Sequence, residues 1–191
     1  AENGKGRKVM GYLTVHTAPA SLVTLAEAKA QARVDGSDFD DQLTFMCSAA
    51  SRVVDGPFSM TGKCFAAQAW NYTVSAFAPS IGIPVPGATT VAAITYFDAA
   101  NSSQSMTVAD YYRVSSSDRG LLLESDIGLP QTYSRADAVT IRVSNTTSVP
   151  DDIKHAALLL VGAWFDDRSV GAVPAGVDAL VSLHKVGWLG S

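Results

Sequence analysis

The sequence predicts an α+β fold with an N-terminal helix pair, a small antiparallel β-sheet region in the middle and two C-terminal helices. Three observations lead there. Residues 24–60 and 150–187 carry apolar side chains at helical spacing, with residues suited to helix starts and stops. Residues 64–145 instead hold short runs rich in β-branched and aromatic residues, separated by Gly, Pro, Asn and Ser clusters. Helices and strands do not alternate, which argues for an antiparallel sheet rather than βαβ units. The 191 residues are read as one domain over 22–187, with a flexible extension over 1–21 and a tail over 188–191.

The extension opens with the Gly-rich, basic "NGKGRK" and ends in the turn-like "HTAPAS", compositions that seldom fold alone. A short helix follows in "TLAEAKAQARV". Thr24 is a good N-cap, and Glu27 three residues later completes a capping box. "DGS" stops this helix, with Gly36 suited to a left-handed cap. A second helix is expected to start at Ser37 or Asp38, with Asp40 and Asp41 in its first turn, where the dipole favours anions. Leu43, Met46, Cys47, Ala50, Val53 and Val54 form its apolar stripe, and Gly56-Pro57 breaks or kinks it.

The strand candidates are "AAQAWNYTVSAF", "TTVAAITYF", "DYYRVSS", "GLLLES" and "AVTIRVS". "IGIPVPG", with two prolines one residue apart, is an edge strand or an extended connection. Helix then returns. Pro150 suits a first helical turn, and Asp151 and Asp152 follow it. Ile153, Ala157, Leu160, Val161 and Trp164 make one face, while Leu158, Leu159 and Phe165 cover much of the rest. A last helix runs from Pro174 to before Gly187.

Charge and motifs exclude more than they assign. A net charge of −4 argues against sequence-independent nucleic-acid binding by the whole surface. The longest apolar run, 156–165, is far short of the ~20 residues that cross a bilayer, and the opening residues hold no apolar core of a secretion signal. Cys47 and Cys64 fit neither a disulfide framework nor metal-ligand spacing, and His16, His155 and His184 are too scattered for a metal site. The acids Asp35, Asp38, Asp40 and Asp41 lack the glycine and distal Glu of a calcium loop, and helix capping explains them. No phosphate loop, nucleophile elbow or zincin motif is present. No catalytic residue, cofactor or metal is therefore assigned, and an enzyme is not expected.

What remains is apolar and charged surface without an evident internal use. Asp166 and Asp167 lie near a helix C-terminus, where the dipole disfavours anions, and Arg168 beside them suits that place. Trp164, Phe165, His184, Lys185, Trp188 and Leu189 complete a set of candidate interface residues, because aromatic groups near a terminus often mark a partner contact.

The order of these segments resembles the head-tail connector family of tailed phages, also called adaptor or head-completion proteins, with relatives in prophages and gene transfer agents. The opening helix pair is matched by Thr24, Leu25, Glu27, Ala28, Lys29, Arg33, Val34, Asp35, Asp40, Asp41 and Leu43. Gln68 and Trp70 match a "Q-W" strand. Ile81, Ile83, Pro84, Pro86, Val91, Ile94, Tyr96, Phe97 and Asp98 match the next segment, and Tyr112 and Val114 a "Y-V" strand. Val149, Pro150, Ile153, Lys154, residues 156–161, Trp164, Phe165 and Arg168 match the long helix. Pro174, Gly176, Val177, Ala179, Leu180 and Val181 match the last. Gly56-Pro57 and "SNTTS" depart from the pattern.

The resemblance implies a structural virion protein, made in the host bacterial cytoplasm and placed at the head–tail junction. It implies a ring, typically of twelve copies, that joins the portal to the tail or its stopper and continues the DNA channel. Double-stranded DNA would pass without sequence-specific binding, and no membrane is involved. Asp166, Asp167 and Arg168 would then be inter-subunit charge partners, and one face of the long helix would pack on a neighbour or the portal. A second reading stays open, a small β-rich binding module dimerising through its helices. A third is an enzyme using Cys47 or Cys64.

Overall fold

The computed structural model describes residues 11–145, 149–168 and 173–186. It is α+β, and its chain divides into two compact units where the sequence reading has one domain. One unit comprises 1–18 and 68–145 and holds the strands. The other comprises 19–67 and 146–191 and holds the long helices.

The strand unit contains β1 (Tyr12–Thr17), β2 (Gln68–Val74), β3 (Ser80–Ile83), β4 (Thr90–Phe97), β5 (Ser103–Met106), β6 (Arg113–Ser117), β7 (Gly120–Glu124) and β8 (Val139–Asn145). They form two antiparallel sheets, of order β1-β2-β8-β4-β5 and β3-β7-β6. The central strand β8 alternates strictly: Val139, Ile141, Val143 and Asn145 are buried, and the residues between them are half-exposed. Its period of two is what one buried sheet face requires. Buried polar groups at the end of β2 are satisfied locally. The Gln68 N–H donates to Asn145 Oδ1 at 3.0 Å, and Trp70 Nε1 donates to Gln68 Oε1 at 2.9 Å. Phe77 meets Tyr96 edge-on at 5.2 Å and Tyr112 at a tilt, and the Tyr112 hydroxyl donates to the Ala78 carbonyl. Burial pushes the Tyr112 phenol up to about 12.

Two predictions change here. Part of the extension expected over 1–21 is a strand, β1, paired with β2 from Tyr12↔Thr73 to Thr17↔Ala69. The polar "SQSM" within a stretch taken as a turn is β5, paired with β4. β3 is an edge strand, as one reading of its prolines has it, and Pro84 follows it directly. A short helix, α3 (Val108–Tyr111), precedes β6.

The helical unit contains α1 (Leu25–Ala32), α2 (Asp40–Val54), α4 (Asp151–Asp167) and α5 (Ala175–Ser182). The capping box on α1 is present: the Glu27 N–H donates to Thr24 Oγ1, and the Glu27 carboxylate accepts from the Thr24 N–H at 2.8 Å. The left-handed cap is Arg33 (φ 53), not Gly36, because α1 ends at Ala32 and Gly36 falls in the connection. α2 starts at Asp40, two or three residues later than expected. Phe39, whose side chain has no acceptor, takes the cap position, and the Asp40 N–H turns back to the Ser37 carbonyl. α2 stops at Val54, before Gly56 at φ 121.

These helices share one core, which includes Leu22, Leu43, Cys47, Ala50, Val54, Phe65, Ile153, Ala157, Leu160, Trp164, Val177 and Val181. α4 packs against α1, α2 and α5. That answers why it is apolar nearly all round: its own chain covers it on three sides, and Leu158, Leu159 and Phe165 pack on the same cluster. Each fully buried Leu or Ile here contributes about 1.5–3 kcal/mol. Gly162 lets α1 approach closely, since a Cβ there would sit 3.3 Å from Gln31 Nε2.

Candidate assembly interface

α4 ends with Asp166 and Asp167 in its last turn and Arg168 as a left-handed cap at φ 49. All three side chains are exposed. None forms an ion pair among the described residues, so Arg168 does not neutralise either acid. Both carboxylates therefore sit against the negative end of the helix dipole with no cation in ion-pair reach among the described residues. Phe165 is half-buried and meets Phe39 edge-on at 5.3 Å, so α4's end is held to α2's start.

Trp164, expected at an interface, does not reach the surface of its unit. It is only 5% exposed and belongs to the helical core, because its position on α4 faces inward with Val161 and Leu160. Its Nε1–H is buried and meets no acceptor. His184 is half-buried and already engaged: its Nε2 lies 2.6 Å from Asp152 Oδ2, and its ring stands edge-on to Phe65 at 5.5 Å. The imidazole beside it holds the Asp152 carboxyl below the usual carboxylate range. Lys185 is exposed. Trp188 and Leu189 lie outside the described residues.

The structure adds surface groups that the sequence reading passed over. Phe45 is 74% exposed on the outer face of α2. Its signal was present, since Phe45 falls off the stripe formed by Leu43, Met46, Cys47 and Ala50. Phe58 and Leu183 are also largely exposed. In the strand unit, the exposed side chains of β1 include Tyr12 and Val15, and every residue of β6 is exposed.

Chemistry-bearing groups elsewhere are used structurally. Cys47 and Cys64 are buried and share no disulfide, and burial pushes the Cys47 thiol up, away from the reactive thiolate. No group of three or more His, Cys, Asp or Glu among the described residues is arranged to hold a metal. Arg135, beside a shallow cleft lined by Ser75, Thr132 and Tyr133, lies over the Phe97 ring at 3.8 Å and binds both oxygens of Asp137. That pairing raises the Arg135 pKa, lowers that of Asp137 and leaves no cation spare for an anionic ligand. No helix among the described residues is long and apolar enough to cross a membrane.

No protein-family model and no curated protein matches this sequence. Solved structures do. A chain in the neck of an empty gene transfer agent particle, computed with C6 symmetry, superposes with a TM-score of 0.74 at 21% identity, over 94% of this chain and 98% of that one. A chain of the virion of a native gene transfer agent particle gives 0.70 at 21% identity over the same shares. A chain in the native neck, computed with C12 symmetry, gives 0.61 at 18% identity over 93% and 98%. The resemblance read from the sequence is thus borne out in the fold, across both units and nearly end to end.

Proposed function

We propose that this chain is a structural subunit of the neck of a tailed, phage-like particle. In this reading twelve copies form a ring beneath the portal, join it to the tail or its stopper, and continue the channel through which DNA passes. The observation that carries it is the near-complete coverage of both chains in the match to a particle-neck subunit. Partial overlap on one common unit would have meant little. The unpaired charges at the end of α4 support it further. Two acids held against a helix dipole with no ion-pair partner among the described residues would be relieved by a cation from a neighbour, and Arg168 is exposed to meet a neighbour's acid. A net charge of −4 also suits a conduit, because a strongly basic wall retains DNA through counterion release.

The dimerising binding module has less support. It relied on a helix with a spare apolar face, and α4 spends its apolar surface on α1, α2 and α5.

Cryo-electron microscopy of portal rings mixed with the purified chain tests the proposal. The expected result is a ring of these subunits coaxial with the portal. Free chain beside intact portals would sink it. Arg168→Ala is expected to weaken ring formation without unfolding the subunit, and unchanged assembly would remove Arg168 from the interface.

A further inference from the structure

α2 carries a second line of side chains besides the one it buries. Leu43, Cys47, Ala50 and Val54 face the core, while Asp41, Phe45, Ser48 and Arg52 are exposed on the opposite side. Steps of four, three and four residues keep these four in one row along the helix, the spacing of a seam between two packed helices. The helix ends account for an acid in the first turn and a base in the last, but not for the ring set between them. Phe45 is 74% exposed, and neither Asp41 nor Arg52 forms an ion pair among the described residues. A single exposed ring is ordinary by itself. What sets this one apart is the row it lies on.

Reversed end for end, the row is its own complement. About a point between Met46 and Cys47, position 41 falls on 52 and position 45 on 48. Two copies laid antiparallel therefore set Asp41 of each opposite Arg52 of the other. Each Phe45 ring comes opposite Ser48, with half-buried Ala49 beside it, and both are small enough to admit a ring. Parallel copies would instead set acid against acid and base against base, which destabilises the pair. We propose that two free copies of this chain pair through α2 in the antiparallel sense. Such a contact uses one patch twice and closes at two copies, whereas neighbours in a ring meet through two different patches. The inference thus stands apart from the neck assignment and concerns the subunit before assembly. One helix row buries less area than a standard interface, so the pair is weak and separates on dilution.

Sedimentation velocity of the full chain over a concentration series tests it. The wild type is expected to pass from monomer to dimer as concentration rises. Asp41→Arg and Arg52→Asp, each alone, bring like charges together and are expected to stay monomeric. Mixed in equal amounts they are expected to dimerise, since each supplies the charge that the other lacks. Either substitution moves the net charge of −4 by two, so both variants stay negative and general attraction does not bring them together. The double variant Asp41→Arg/Arg52→Asp should pair with itself again. A wild type that is monomeric at every concentration would overturn the proposal. So would a dimer that survives either single substitution, which would place the contact elsewhere, or single variants that fail to combine on mixing. Circular dichroism checks that the variants keep their helices. If reversing a charge at a helix end prevents that, Phe45→Ala, midway along α2, decides instead. It is expected to raise the dissociation constant of the wild-type dimer about tenfold or more, and an unchanged constant would refute the pairing.

Discussion

Glu27 joins two helices by one carboxylate. It accepts from the Thr24 N–H and hydroxyl, both at 2.8 Å, and it receives Lys154 Nζ of α4. Replacing it by Gln keeps the shape of the capping box, which Gln also serves, and removes the charge. The Lys154 ammonium, with the Thr24 bonds, brings the Glu27 carboxyl from 4.5 to about 2. Taken whole, that shift corresponds to at most about 3 kcal/mol. The two side chains are 35% and 36% exposed, however, so solvent screening removes most of it, and exposed pairs yield roughly 0.2–1 kcal/mol. With the charge-assisted bonds to Thr24 retained in weaker form, the expected loss for Glu27→Gln is about 1 kcal/mol at neutral pH. The folded pKa is depressed, so this stability is fully present above 4.5 and fades as pH falls toward about 2. Urea midpoints of wild type and variant, followed by circular dichroism across that range, should therefore converge in acid. A gap that persists unchanged at the acid end, or no gap at neutral pH, would refute the reasoning.

Three further outcomes follow from packing and backbone geometry. Gly162→Ala should be neutral to stabilising, by up to about 1 kcal/mol in thermal unfolding, because the helix gains propensity and only the flexible end of Gln31 must give; Gly162→Leu should instead cost about 1–3 kcal/mol. Asp55→Ala should cost about 2–4 kcal/mol, since this buried carboxylate accepts from the N–H groups of Phe65 at 2.7 Å and Ala66 at 3.2 Å, and both donors would lose that acceptor. Gly120→Ala should destabilise the strand unit by about 2 kcal/mol or more in chemical unfolding, because φ is +122 and a Cβ would stand 2.1 Å from the Ile83 carbonyl oxygen.

Local signals were legible. Thr24 with Glu27 marked the start of α1, Gly56-Pro57 the end of α2, and the alternation of Val139, Ile141 and Val143 a strand with one buried face. Signals that depend on a distant partner were not. β1 has little pattern of its own, and its place is set by pairing with β2 more than fifty residues on. β5 is polar because only Met106 of its four residues is buried. Trp164 read as a surface aromatic because the sequence does not show that α1, α2 and α5 surround α4. His184 likewise gave no sign of its bond to Asp152, thirty-two residues away. The acids at the end of α4 were legible as an anomaly, since the rule they break is local.

The interleaving of the two units also sets an order of events during synthesis. α1 and α2 leave the ribosome with an apolar stripe whose main partner, α4, begins about a hundred residues later. At typical elongation rates that stripe waits for roughly 5–20 s. The strand unit, apart from its first strand, is made entirely within that interval and can fold before the helices close. A nascent chain stalled after β8 would thus carry a finished sheet and an open, adhesive helix pair, which is the species a chaperone would be expected to hold.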